Sequence, residues 1–376
     1  MAHRTAVYGT DSVLEATQKR IEYLFDNYDN IQLSYSGGKD STVLFHLLNA
    51  EAKKRDRKFY VFFLDQEAEY QGTIDMMEWV MRQPNVIPRW YQVPTFMTNS
   101  CSQQQVFLWA WGEGEEWVRP KSDVSIHEIK EHYPKRFYKF AYWMNHKIDE
   151  MPGRSVSVIG LRAEESPSRR FVMFGEDNEL FWLRRKNQHK AYPIIDWSFT
   201  DDWKYLVENN LRYNSVYDKM YKLGIPLRTM RVSNLIHEKA YRCLGELQEL
   251  EPETYNRLEK RLQGVHCASI YAHENMVYSI KKLPSQFKTW KEYKDFLLEN
   301  IHPDLKRIFE YQWSRFGDTD DPGACKYMVK RILLCDWEGN ITWARDNEFN
   351  YTREQIKEKN QIKKKDAVIK KWFSQL

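Results

Sequence analysis

The sequence is poor in sulfur chemistry. Five cysteines are scattered along 376 residues, and no two stand in a Cys-x-x-Cys spacing. An odd, dispersed set argues against a disulfide framework and fits a reducing compartment. No apolar run approaches the length of a membrane span, and the opening residues MAHRTAVYGTDS lack the apolar core of a secretion signal. The expectation is a cytoplasmic protein with no membrane partner. No GxxxxGK string followed by Ser or Thr occurs, which excludes a Walker-type phosphate loop. Internal repeats, low-complexity tracts and glycine-serine linkers are also missing. The net charge is only +4, so any nucleic-acid role must rest on local patches.

Against these absences stands the stretch 31–49, IQLSYSGGKDSTVLFHLLN. Ile31, Leu33 and Tyr35 open it as a short apolar strand. Ser36-Gly37-Gly38-Lys39-Asp40-Ser41 follows, and then Val43, Leu44, Leu47 and Leu48 recur at helical spacing. Paired glycines let successive N–H groups point into one concavity, and the helix start adds unpaired N–H groups and a positive dipole end. The turn therefore reads as an anion cradle. Lys39 supplies a full charge, and the Ser36 and Ser41 hydroxyls can donate to phosphate oxygens. Asp40 either caps the helix or helps hold a magnesium ion.

The flanking chain predicts a βαβ unit. Residues 11–28 read as an amphipathic helix, with Ser12 and Glu15 at capping-box spacing. A second apolar strand, 59–64, ends at Asp65, so the sheet is expected to be parallel and doubly wound. Ligands of such sheets bind beyond the carboxyl ends of the strands, where Asp65, Gln66 and Glu67 fall beside the glycine turn. These acids read either as partners of a ribose hydroxyl or metal, or as ordinary loop acids. Residues 73–82 read as a helix and 88–93 as a strand, and the Pro193-Ile194-Ile195-Asp196-Trp197 stretch reads as a strand leading into a capped helix that contains Trp203, Leu206 and Val207. From about 100 to 150 the chain is unusually aromatic, as in an insertion that packs its rings or offers them as a stacking platform for bases or a partner. A clean strand over 155–159 runs into Gly160-Leu161-Arg162, with Arg169-Arg170 beyond. Arg162 then lies on the ligand edge, where its fork suits a phosphate or sulfate oxygen pair. Arg169 and Arg170 read either the same way or as solvated charges.

These residues carry a resemblance. SGGKDS resembles the PP-loop of the ATP pyrophosphatase superfamily. GLRAEES with the paired arginines, then Tyr192-Pro193-Ile194-Ile195-Asp196-Trp197 with Thr200-Asp201-Asp202-Trp203, then Tyr213-Asn214 and Tyr217-Asp218, resemble segments of phosphoadenosine phosphosulfate (PAPS) reductases in the same order. The resemblance covers about residues 12–232. It implies an α/β fold with a doubly wound, mostly parallel sheet of the adenine nucleotide α-hydrolase type. It also implies an adenine nucleotide as ligand, either ATP or PAPS/adenylylsulfate, with Mg2+. By that resemblance Ser36, Gly37, Gly38, Lys39, Asp40, Ser41, Asp65, Gly160, Arg162, Arg169 and Arg170 bind the nucleotide, and Lys39, Asp40 and Arg162 are catalytic. The reductases use a cysteine in a Glu-Cys-Gly-Leu-His motif that is not found here. The overall pattern is more similar to PAPS reductase-like proteins of the immunoglobulin-binding regulator A type. That similarity implies a possible ParB/sulfiredoxin-like protein partner.

From about Arg231 the texture turns helical, over 235–250, 253–262, 290–300, 305–316 and 327–334. The expected division is a nucleotide-binding domain over 1–230 and a mainly helical domain over 231–376. His237, Cys243, His266 and Cys267 fit no standard zinc spacing and are expected to pack or solvate rather than form a metal site. Residues 353–376 read as a basic amphipathic helix, either docked by its apolar stripe or in contact with nucleic acid. The expected activity is adenylyl or sulfur-group transfer to an acceptor. The alternatives are a nucleotide-sensing module working through a protein or DNA partner, and a nucleic-acid-modifying enzyme.

Overall fold

The structure, a computed structural model, describes residues 10–336 apart from 103, 106, 167–168, 170–177, 180–181, 186–187, 238–242, 272–281 and 335. The basic stretch 353–376 and Arg170 lie outside the described residues. The chain forms two compact units, Met1–His273 and Glu274–Leu376.

Unit one is built on a seven-stranded sheet in the order β3-β2-β1-β6-β9-β8-β7. Its strands are β1 (Asn30–Ser34), β2 (Phe59–Leu64), β3 (Val86–Tyr91), β6 (Ser155–Ile159), β7 (Asn178–Glu179), β8 (Trp182–Arg185) and β9 (Gln188–Ala191). From β3 to β9 the neighbours run parallel, and β8 and β7 continue the sheet antiparallel. A separate hairpin pairs β4 (Thr95–Thr98) with β5 (Phe107–Ala110). β1 and β6 are buried nearly throughout, as a central parallel strand covered on both faces requires. The sheet is α/β and mostly parallel, as the βαβ pattern led one to expect.

Helix α1 (Val13–Asn27) starts with the predicted capping box, Ser12 with Glu15. Helix α2 (Lys39–Lys54) follows the glycine turn, and α3 (Gln71–Met81) links β2 to β3. Val43, Leu44 and Leu48 of α2 are fully buried with Leu33, Val61 and Val158 of the sheet. That core fixes how the first turn of α2 meets the strand ends. The aromatic insertion packs into the fold: Phe140, on α4 (Phe137–Asp149), and Trp111 are buried, while Trp109 and Trp117 are partly exposed.

Two predicted elements are corrected. The segment at Pro193-Ile194-Ile195 is not a strand: β9 ends at Ala191 and the chain turns before α5 (Phe199–Glu208), capped by Ser198. Proline has no N–H for a ladder, so the strand stops before it. Of the helix expected over 235–250, residues 235–237 form a turn, and α7 (Leu244–Leu250) forms as a helix. Leu235 donates its N–H to the Ala68 carbonyl, and the Ile236 carbonyl accepts from Ser100, so this backbone bridges two loops instead. Helices α6 (Val216–Lys222), α8 (Pro252–Arg261) and α9 (Val265–Tyr271) complete the unit.

Unit two contains α10 (Trp290–Glu299), α11 (Pro303–Trp313) and α12 (Pro322–Leu333). Thr289, His302 and Asp321 cap their N-termini, and prolines open α11 and α12. Leu298, Leu305, Phe309, Trp313, Met328 and Ile332 are buried within it. Among the described residues no helix is long and apolar enough to cross a membrane.

Candidate functional site

The parallel strands are laid down from β1 outward through β2 and β3 on one side, then through β6 and β9 on the other. The order reverses between β1 and β6, and in open α/β sheets the ligand crevice lies outside such a switch point, at the two loops leaving these strands. One loop is residues 36–38 ahead of α2, and the other is Gly160–Arg162.

Gly37 lies in the left-handed region, with φ 73°, and a Cβ there would sit 2.8 Å from Thr73 Cγ2 on α3. Only glycine fits both constraints. Gly38 is the N-cap of α2 and offers no side-chain cap. Ser36 and Ser41 bond to each other through their hydroxyls at 3.1 Å, and Ser41 donates to the Gly38 carbonyl at 3.0 Å. Both predicted phosphate donors are therefore engaged within the loop. The Lys39 N–H donates to the buried Tyr217 hydroxyl at 3.2 Å. Asn214 donates to the Gly37 carbonyl at 3.3 Å and to Thr73 Oγ1 at 3.0 Å. Together α3, Asn214 and α6 hold the turn from behind.

Four charged groups converge at the start of α2. Lys39 Nζ stands 2.9 Å from Asp40 Oδ2 and 4.0 Å from Asp202 Oδ2. Arg162 Nε donates to Asp40 Oδ1 and lies 3.0 Å from Asp202 Oδ2. All four are largely withdrawn from solvent, and Asp202 is fully buried. As a carboxylate Asp202 receives no hydrogen bond of adequate geometry at either oxygen. Glu164 accepts from the Phe199 N–H at 2.6 Å and lies 3.2 Å from Arg162 Nη1, which ties the β6 exit to α5. Burial pushes both acids upward. For Asp40 the Asp202 hydrogen bond and the two cations outweigh it and hold the group down at about 2. For Asp202 burial and the Asp40 charge prevail and push it up to about 9.

The structure thus brings together Ser36, Gly37, Gly38, Lys39, Asp40, Ser41, Gly160 and Arg162. Asp65 is a correction. Its carboxylate is fully buried and accepts from Arg119, Trp90 Nε1, Gln92 Nε2 and the Glu67 N–H. With its lone pairs filled it faces no ligand. Arg169 is exposed and paired with Glu165. Asp40 does not cap α2, and its oxygens receive two cations. It therefore does not fit as a resident magnesium ligand, since a divalent ion would have to displace both. Among the described residues no group of His, Cys, Asp and Glu side chains could hold a metal. His266 meets Tyr255 at 3.0 Å, and Cys267 is exposed.

Asp202, Asn214, Tyr217 and Glu164 were missed as site residues. Asp202 reads as one of two acids in the first turn of a helix, an ordinary place for them. Only the fold shows that it points inward to Lys39.

The phosphoadenosine phosphosulfate reductase domain pattern matches residues 30–252, more than half of the chain. The chain belongs to this family. A second pattern, a domain of unknown function (DUF3440), matches residues 224–321 and overlaps the first. Among proteins similar to this chain, the uncharacterized protein YbdN of Escherichia coli is 30% identical, over 93% of this chain and 95% of its own. The adenosine 5'-phosphosulfate reductase of Oceanobacillus iheyensis is 25% identical, over 62% of this chain and 86% of its own. A solved phosphoadenylyl-sulfate reductase from Candida auris, in complex with phosphate, aligns at 11% identity with a TM-score of 0.32. The alignment covers 61% of this chain and 97% of that one.

Proposed function

We propose that the crevice between β1 and β6 binds the anionic end of ATP or a sulfonucleotide and promotes adenylyl or sulfur-group transfer to an acceptor. The observation that carries this reading is the convergence of Lys39 and Arg162 on Asp40 at the N-terminus of α2, whose N-cap Gly38 supplies no side-chain acceptor, at the point where strand order reverses. The sulfonucleotide side draws support from relatives named as adenosine 5'-phosphosulfate reductases.

In the ATP version the acceptor attacks the α-phosphorus, a new bond to phosphorus forms, and pyrophosphate leaves. The turn 36–41 holds the departing pyrophosphate. Lys39 and Arg162 stabilise the charge that develops on it, in a setting largely closed to water. Magnesium, where the reaction uses it, enters on the nucleotide's phosphates as part of the substrate. No protein nucleophile is needed. This suits a chain in which burial raises the thiols of Cys243 and Cys325, opposite to the shift a thiolate nucleophile requires.

Incubation with α- and γ-labelled ATP, magnesium and candidate acceptors is expected to release pyrophosphate and to leave the AMP label on the acceptor, freed as AMP only when water or a second nucleophile displaces it; ADP with phosphate would overturn the adenylyl reading. Competition among ATP, PAPS and adenylylsulfate for the crevice names the donor. Tight binding with no product under any acceptor would favour a nucleotide sensor over a transferase.

A further inference from the structure

Asp202 is the most anomalous group in the crevice. A fully buried carboxylate with both oxygens lacking a donor is costly, and native folds rarely keep one without a reason. Arg162 Nε and Lys39 Nζ are too poorly aligned or too distant to satisfy it, although both bond Asp40 well. The two acids therefore lean on the same two cations. As carboxylates neither can donate to the other. With one proton placed on Asp202, its O–H can donate to Asp40 and the orphaned group is satisfied.

We propose that Asp40 and Asp202 form a carboxyl pair holding a single proton between them, and that this proton frees Lys39 and Arg162 to move onto an anionic ligand. The first half stands on the two cations that both acids share and on the unsatisfied Asp202 oxygens; the second rests on the nucleotide reading above. Without the proton the four groups sum to zero charge, and moving both cations to a ligand would strand two adjacent buried anions. With it the site carries one net positive charge, and the departing cations leave behind one charge already hydrogen-bonded. The groups facing the pair are Lys39 on α2, Arg162 and Glu164 at the β6 exit, Arg169 beyond them and Tyr217 on α6. The upward displacement of Asp202 and downward displacement of Asp40 agree with one shared proton over the neutral range. As the cations move to the ligand, the pair loses their stabilisation of its charge, so binding takes up further proton.

Infrared spectroscopy of the full chain at neutral pH tests the first half without any ligand. The wild type is expected to show a protonated-carboxyl C=O band that disappears in both Asp202→Asn and Asp40→Asn, because either acid left alone beside two cations ionises. Glu69→Gln is the control, since Glu69 is a second buried acid whose band must be told apart. A band unchanged in both Asp variants would overturn the shared proton. Calorimetric titration with ATP and with inorganic pyrophosphate, in buffers of different ionisation enthalpy, tests the second half. Proton uptake is expected to be greater in the wild type than in Asp202→Asn, the ligand's own ionisation being common to both; equal exchange in the two would overturn it. Failure of both probes to bind, with the infrared band present, would reject the nucleotide reading and leave the proton pair standing.

Discussion

Gly160 stands so close to Ser41 that a Cβ on it would lie 3.0 Å from the Ser41 amide nitrogen and 3.1 Å from the Asp40 carbonyl carbon. Both are backbone atoms at the start of α2 and cannot yield as a flexible side chain would. Gly160→Ala is therefore expected to push the β6 exit off the helix and to crowd the Ser41 amide. We expect a stability loss of about 1–3 kcal/mol, as for other overpacked sites. The loss of affinity for ATP or adenylylsulfate should exceed what that destabilisation explains. Calorimetric binding below the variant's Tm makes the comparison; unchanged affinity would remove Gly160 from the site.

Lys39 and Arg162 each bond the same carboxylate, and each is assigned to developing charge on the leaving group. Lys39→Ala should lower turnover by roughly 10²–10³-fold, the range seen when a preorganised charge donor is removed. Arg162→Lys should also fail, because an ammonium cannot reproduce the contacts of the planar fork. Asp40→Ala should impair binding or turnover as well. Circular dichroism should show all three folded. Wild-type rates and affinities in both Lys39→Ala and Asp40→Ala would mean that the site lies elsewhere.

Glu69 offers a test of electrostatics away from the crevice. Burial first, and the Asp65 charge second, push it up to about 8. A carboxyl raised in the folded state binds its proton more tightly there than when unfolded. Its contribution to stability is complete below the ordinary carboxylate range and fades as pH climbs through about 8. Glu69→Gln keeps an acceptor for Asn234, which now donates to Glu69 at 3.2 Å, and removes the titration. Tm measured from pH 5 to pH 9 should therefore fall less steeply in the variant, with the curves separating on the alkaline side. At about 2–4 °C per kcal/mol the separation is measurable. Parallel curves would show that Glu69 does not titrate abnormally.

Glu251 caps a helix 180 residues away in sequence. Its carboxylate accepts from the Gln71 N–H at 2.6 Å, the Gly72 N–H at 2.9 Å and the Thr254 hydroxyl at 2.9 Å. Glu251→Ala leaves two buried N–H groups at the α3 start unpaired, so a cost of about 1–3 kcal/mol is expected from denaturant midpoints. Glu251→Gln, which keeps an acceptor oxygen, should cost less. Equal effects would point to packing rather than hydrogen bonding.

The strand–turn–helix at 30–54 was legible because every local signal agreed. Apolar residues changed period at the glycines, and a basic exit closed the helix. β2 and β6 match the predicted bounds of 59–64 and 155–159. What the sequence hid was long-range. Asp65 looked like a ligand-edge acid, and nothing local announced that Arg119, 54 residues on, would fill it. Asp202 looked like a helix-start acid for the same reason. The 235–250 stretch kept a helical period, yet Leu235 and Ile236 spend their backbone groups on Ala68 and Ser100. Partners far apart in sequence decide such cases, and periodicity carries no record of them.

The loop that follows β2 is gripped at both ends from far down the chain: Glu251 at Gln71 and Gly72, and Arg261 on the Glu67 carboxylate at 3.1 Å. A polypeptide ended at residue 230 would keep Lys39, Asp40, Arg162 and Asp202 yet lose both clasps. The buried Glu67 carboxylate would then lose its guanidinium and keep only the Trp111 and Val118 N–H groups as partners. Where two neighbouring patterns overlap, as here over 224–252, the seam between them is shared masonry. Substitutions on the far side of that seam should reach the near side as readily as those made within it.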